Sequence, residues 1–159
     1  MPGSFERMIK LVNEVFDTKH DPDQISMTEA ERTHLQQIHP VTMSEYADDD
    51  GPIVWILMMP TLNELMVRFL NKEISERQLL AETPVGVKYD TIYLCSASVL
   101  PEYRRKGLAK KITMDAIKKI MDDNPIRALF LWPFSKEGEE LSRSVAEELN
   151  LPLYLRPGH

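Results

Sequence analysis

Behind Ser4, apolar residues at Phe5, Met8, Ile9, Val12, Val15 and Phe16 fall on one face of a 3.6-residue period and predict a helix that must dock. Thr28 and Glu31 have capping-box spacing ahead of Leu35 and Ile38. They predict a second helix ending at His39-Pro40, where proline disfavours helical geometry in the residue before it. From Ser44 to Pro52 the chain holds Asp48-Asp49-Asp50-Gly51, too charged and too rich in turn formers for an interior element, so it reads as a surface loop. Ile53 to Met59 is apolar on both alternating faces, the pattern of a strand covered on both sides, and Pro60 is its expected end. Thr61 and Glu64 repeat the capping-box spacing before Leu62, Leu65, Met66, Phe69 and Leu70. Ser75 with Gln78 opens a shorter helix carrying Leu79 and Leu80.

Past Pro84, the small, β-branched and apolar run from Thr91 to Val99 reads as another interior strand. From Lys106 to about Asp123, Leu108, Ala109, Ile112, Ala116, Ile117 and Ile120 share one helical face, with Lys110, Lys111, Asp115, Lys118 and Lys119 outside it. Ala128 to Trp132 is a short buried strand. Lys136 to Leu149 is a helix with Leu141, Val145 and Leu149 on one side, and Leu153 to Leu155 is a terminal strand candidate. The order strand, helix, strand, helix, strand predicts an α/β fold: a mixed, partly parallel sheet flanked by helices.

Composition bounds the rest. The 159 residues are 43% hydrophobic and 28% charged, enough for one core and one domain, 1–159. The net charge of −6 disfavours a surface that grips nucleic acid or anionic membrane. A single cysteine, Cys95, excludes an internal disulfide and fits a reducing compartment. The N-terminus lacks the apolar core of a signal peptide, and no apolar run approaches the about 20 residues that span a bilayer. A cytoplasmic location is the expectation, with neither nucleic acid nor membrane as partner.

The segment from Val99 to Lys111 leaves an interior strand, turns and opens an amphipathic helix. At such a junction, backbone N–H groups and the helix dipole favour a phosphate or pyrophosphate. Gly107 suits that use, because a missing Cβ lets a bulky ligand touch the backbone. Between Pro101 and Lys111, five basic residues stand against one acidic residue, a local +4 that leaves −10 for the rest of the chain. Cationic side chains at a helix N-terminus oppose its dipole, a conflict that a bound phosphate would remove.

Arg104-Arg105-Lys106-Gly107-Leu108-Ala109 resembles the Arg/Gln-x-x-Gly-x-Gly/Ala signature of the GNAT (Gcn5-related N-acetyltransferase) superfamily. The preceding Ser98-Val99-Leu100-Pro101-Glu102-Tyr103 is similar to that family's usual approach to the loop, and the resemblance covers about Thr91 to Leu155. It implies a GNAT-like fold with a cofactor-binding half, 91–155, and a divergent, remodelled N-terminal half, 1–90, on the acceptor side. It further implies acetyl-coenzyme A as cosubstrate, with no metal. The backbone of Arg105, Lys106, Gly107, Leu108 and Ala109 would hold the pyrophosphate, and Arg104 would fix the loop. Main-chain groups around Ser98, Val99 and Leu100 would pair with the pantetheine arm, with an N–H such as that of Val99 facing the developing oxyanion. An amine, carried by a small molecule or a peptide, would attack the thioester directly.

The chain departs from the family's pattern in several places. The final helix has no tyrosine to protonate the leaving thiolate, and that position falls near Ser142. The family's nearby asparagine position corresponds to Ser135. The strand Thr91 to Val99 contains no carboxylate or histidine, so Glu102, Tyr93, Tyr154 or a water chain remain as bases. Helices between Leu62 and Leu80 stand where the family has an antiparallel meander. The short C-terminal tail leaves part of the acceptor pocket to a second subunit, which makes a homodimer an expectation.

Rival readings are plainer. Cys95, mid-strand and far in sequence from any histidine, reads as a small core residue. His34 and His39 lack the further ligands of a metal set. Trp55, Trp132 and Phe134 read first as core aromatics. No Gly-x-Gly-x-x-Gly, Gly-Lys-Ser/Thr, His-Glu-x-x-His or Gly-x-Ser-x-Gly occurs, which removes support for dinucleotide, nucleoside triphosphate, zinc peptidase and α/β-hydrolase chemistry. A coenzyme-A-binding module without catalysis is the alternative to the transferase.

Overall fold

The computed structural model describes residues 29–49, 51–99, 107–133 and 136–157, without the side chains of 48, 52, 96–98 and 137. The helix expected behind Ser4 lies outside the described residues. The elements run α1 (Glu29–Ile38), β1 (Met43–Asp48), β2 (Gly51–Thr61), α2 (Asn63–Leu70), α3 (Glu76–Glu82), β3 (Thr91–Val99), α4 (Leu108–Asp123), β4 (Ala128–Leu131), α5 (Lys136–Leu149) and β5 (Leu153–Leu155).

The five strands form one sheet in the order β1-β2-β3-β4-β5. The first three are antiparallel, and β3, β4 and β5 are parallel. This is the mixed sheet flanked by helices that the alternation predicted. Parallel crossovers are right-handed in nearly all proteins, so two successive crossovers stepping in one direction place α4 and α5 on the same face. An ion pair at 2.8 Å between Lys110 of α4 and Glu148 of α5 joins them. The opposite face carries α2 and α3, whose Phe69 and Glu76 meet Tyr93 of β3. Covered on both faces, Thr91, Ile92, Tyr93 and Leu94 are all buried, which is why that stretch of the sequence does not alternate.

Three local expectations need correction. The stretch from Ser44 to Pro52 is not a loop: β1 and the start of β2 form a hairpin that turns through Asp49, with Gly51 at φ 122. β1 is an edge strand with Glu45, Tyr46 and Ala47 exposed, so it lacks the alternation that marks a half-buried strand. Nor does Pro60 end β2, which runs on to Thr61. Met58 donates its N–H toward the β1 side, to Thr42 O at 2.9 Å. Pro60, two residues on, directs its missing N–H the same way, beyond the end of β1, where no ladder bond is forfeited. Finally, Thr61 does not cap α2. Leu62 holds the N-cap position without a side-chain bond, and the Asn63 N–H donates to Asp90 Oδ1 at 2.8 Å instead. At α3 the expected capping box is present, with Ser75 and Gln78 bonded reciprocally.

The helices expected between Leu62 and Leu80 are α2 and α3, beside an antiparallel meander of β1, β2 and β3. The pair α2 and α3 is inserted between its second and third strands.

Candidate functional site

β3 has nine residues and β4 only four. They pair over three rungs, Thr91 with Ala128, Ile92 with Leu129 and Tyr93 with Phe130. From Leu94 to Val99, β3 continues against β2 with no further rung to β4. A register shift sits at the parting point: Leu57 faces Ser96 while Met58 faces Leu94, leaving Cys95 as the extra residue. Such a bulge bends its strand and increases the local twist, which turns β3 away from β4. The result is a fork at the carboxyl ends of two parallel strands, the place where open α/β sheets bind ligands.

The helix that follows β3 begins at this end of the sheet. Gly107 is its N-cap, in the left-handed conformation at φ 76, ψ 2, with no capping side chain. A side chain is strained at that φ, so the local backbone itself selects glycine. A Cβ built there meets nothing within 4 Å among the described residues. The space beside Gly107 is therefore open among the described residues. No acidic residue stands in the first turn to compete for the positive end of the helix dipole. The local positive charge is smaller than the sequence sum implies, because Lys110 pairs with Glu148.

Among the residues singled out from the sequence, Gly107, Leu108 and Ala109 open α4, and Leu108 and Ala109 pack partly on the core. Ser98 and Val99 lie on the forked part of β3, opposite Trp55 and Val54. Leu100, Glu102, Arg104, Arg105, Lys106 and Ser135 lie outside the described residues. Ser142 is buried on α5 and donates its hydroxyl hydrogen to Gly138 O at 2.9 Å. Tyr154 is 45% exposed on β5 and pairs with Phe130. Two strand spacings, roughly 10 Å, separate its backbone from that of Tyr93 on the same rung. Ser142 and Tyr154 therefore belong to different layers.

A further group meets at the fork. Glu76, the first residue of α3, is 3% exposed and is the only buried Asp, Glu, Lys or Arg among the described residues. Tyr93 donates its hydroxyl hydrogen to Glu76 Oε2, and the half-buried Cys95 approaches the same oxygen with Sγ at 3.7 Å. Tyr93 is the last rung before the fork, and Cys95 is the bulge. Burial, reinforced by the Glu76 carboxylate and by Cys95, raises the Tyr93 phenol well above the ordinary tyrosine range, while Arg156 pulls the other way. Taking a carboxylate out of water costs several kcal/mol unless partners compensate, so a buried glutamate where a cleft opens marks a functional candidate. Sequence reasoning did not single this residue out. Its burial comes from α3 packing over Tyr93, which no local pattern encodes.

Aromatic packing forms the floor of the fork. Phe69 meets Tyr93, Phe130 and Trp132 edge-on at 5.1, 5.9 and 6.1 Å between centroids, and Tyr93 stacks on Phe130 at 5.0 Å. The Arg156 guanidinium lies 4.5 Å from the Phe69 centroid and 4.3 Å from that of Trp132. It donates to the carbonyls of Phe69 and Ile74, tying the segment after β5 to the end of α2. Trp132 is thus a core aromatic with a cation over its ring. Trp55 instead donates its indole N–H to Glu45 at 2.9 Å across the hairpin. Phe134 lies outside the described residues.

His34 donates from Nε2 to Thr83 O at 2.9 Å, and His39 accepts the Val41 N–H at Nδ1, so the two rings serve separate structural bonds. Among the described residues, no three His, Cys, Asp or Glu side chains gather as a metal site. No described helix is long and apolar enough to cross a membrane.

No family model and no curated protein matches the chain. Among solved structures, it is similar to a crystal structure of Chaetomium thermophilum Naa20 in complex with a bisubstrate analogue, at 14% identity and a TM-score of 0.49. The match covers 87% of this chain and 65% of that one, so the chain spans less than two thirds of the length of the protein it resembles.

Proposed function

We propose that the protein is an acetyltransferase that moves acetyl from acetyl-coenzyme A to an amine by direct attack, within a GNAT-like fold. The observation that carries the reading is the fork: β3 and β4 part after Tyr93 and Phe130, and the same end of β3 leads to a helix whose glycine N-cap leaves open space. Together with the Arg104 to Ala109 signature, this supports a pyrophosphate at the α4 N-terminus and a pantetheine arm along Ser98, Val99 and Leu100. The thioester would then lie near the Cys95 bulge. Free amine nitrogen attacks the carbonyl, the C–N bond forms, the C–S bond breaks, and the departing sulfur takes a proton. The acidic remainder of the chain favours a cationic acceptor, because attraction raises the encounter rate.

Thiol release from acetyl-coenzyme A is the test, with spermidine, kanamycin and a lysine-rich peptide as acceptors. Amine-dependent release supports transfer. A second reading, a coenzyme-A-binding module without catalysis, is favoured by Ser142, whose hydroxyl is turned onto its own helix and so offers no proton to a thiolate. Saturable coenzyme A binding without release on any of the three amines would select that reading.

A further inference from the structure

The buried carboxylate of Glu76 has no part in the scheme above, although it sits where the strands part. A buried charge persists against its desolvation cost only where it is compensated or used. Two of the groups that reach it, Tyr93 and Cys95, come from the β3 segment at the fork. Tyr93 is fully buried and locked between Phe69 and Phe130, so it holds the carboxylate in place. Cys95 is half-buried and stands at the bulge, two residues beyond the last rung to β4.

We propose that Glu76 is the terminal proton acceptor for the attacking amine, reached through the Cys95 thiol, and that Tyr93 orients it. The inference rests on the transferase reading. In the step, the acceptor's ammonium passes a proton to the Cys95 sulfur while the thiol proton moves to Glu76 Oε2. Cys95 remains a thiol, Glu76 becomes a carboxylic acid, and the amine has its lone pair. That lone pair forms the C–N bond. The C–S bond breaks, the nitrogen's surplus proton goes to the coenzyme A sulfur, and Glu76 later returns its proton to solvent. Cys95 forms no acyl intermediate. Glu76 acts through another side chain and is a positioning residue for the proton, not a group that touches the acceptor.

The experiment measures kcat/KM against pH for thiol release with the fastest of the three amines, beside coenzyme A calorimetry. Glu76→Gln keeps the shape and an acceptor oxygen but cannot take the proton. It should lower the rate about 100-fold and abolish the acidic limb of the profile while leaving coenzyme A affinity unchanged. Cys95→Ala should lose a similar factor and Cys95→Ser should restore most of it, and this pair keeps Glu76 in place if Glu76→Gln does not fold. A wild-type rate and an unchanged acidic limb in Glu76→Gln, or a wild-type rate in Cys95→Ala, would overturn the relay and leave the transferase reading standing. Absence of thiol release by the wild type on all three amines would overturn both.

Discussion

The two ends of β3 are built in opposite ways. At its start, Thr91 donates to Thr61 O, and Thr61 and Thr83 share a hydroxyl bond at 2.7 Å. Thr83 spends its own hydrogen on Leu79 O, so Thr61 is the donor of that pair. Beside them, Asp90 accepts from the Asn63 N–H and from Arg127, and Asn124 ties the end of α4 to the Tyr89 N–H. This end closes the sheet with bonds between elements far apart in sequence. At the other end, β3 has a bulge, no further rung to β4, a buried carboxylate and a glycine-capped helix. One end is sealed and the other is held open, so damage at the first should read out as stability and damage at the second as ligand binding.

The largest effect tests the floor on which both ends rest. Phe69→Ala removes the ring that contacts Tyr93, Phe130, Trp132 and Arg156. Denaturant unfolding should show a loss of about 3–5 kcal/mol. A loss near zero would mean that the fork does not rest on this packing.

Thr83→Val probes the sealed end. It strands the buried Thr61 hydroxyl and the Leu79 carbonyl, and should cost about 1–3 kcal/mol with coenzyme A affinity unchanged. A fall in affinity without a fall in stability would break the division between the two ends.

Tyr93 gives the comparison a pH dependence. Its phenol titrates above the unfolded value, so above pH 10 the folded state holds a proton that the unfolded chain has released. The stabilisation is complete below about pH 10 and declines as pH rises toward the folded value, by at most about 1.4 kcal/mol per pH unit from this residue. Tyr93→Phe should flatten that alkaline decline, measured by urea unfolding between pH 8 and 11. Tyr89, also raised by burial, keeps some slope in the variant. An identical decline in both proteins would contradict the assignment.

What the sequence discloses follows the same division. The parallel part was legible because β3, α4, β4 and α5 carry full apolar runs or long helical faces, and the Ser75 capping box is wholly local. Less visible were β1, whose exposed edge carries no alternation, and Pro60, whose tolerance depends on where a neighbouring strand stops. Thr61 had the spacing of a cap, yet the N–H it would have met is taken by Asp90, 27 residues away. Of the Arg104 to Ala109 motif, only Gly107, Leu108 and Ala109 fall among the described residues, so its chemistry stays an expectation. Glu76 was not legible, because its meaning arises only when α3 brings it to Tyr93 and Cys95.

The most direct measurement is calorimetric titration of coenzyme A into the wild type, Gly107→Trp and Thr83→Val. Substitution at Gly107 forces a side chain into the left-handed region at a cost of about 1 kcal/mol and fills the open space beside the helix start. Saturable binding by the wild type and by Thr83→Val, with at least a tenfold loss in a folded Gly107→Trp, is the result expected. Equal affinities in all three proteins, or no saturable heat from the wild type, would contradict the account.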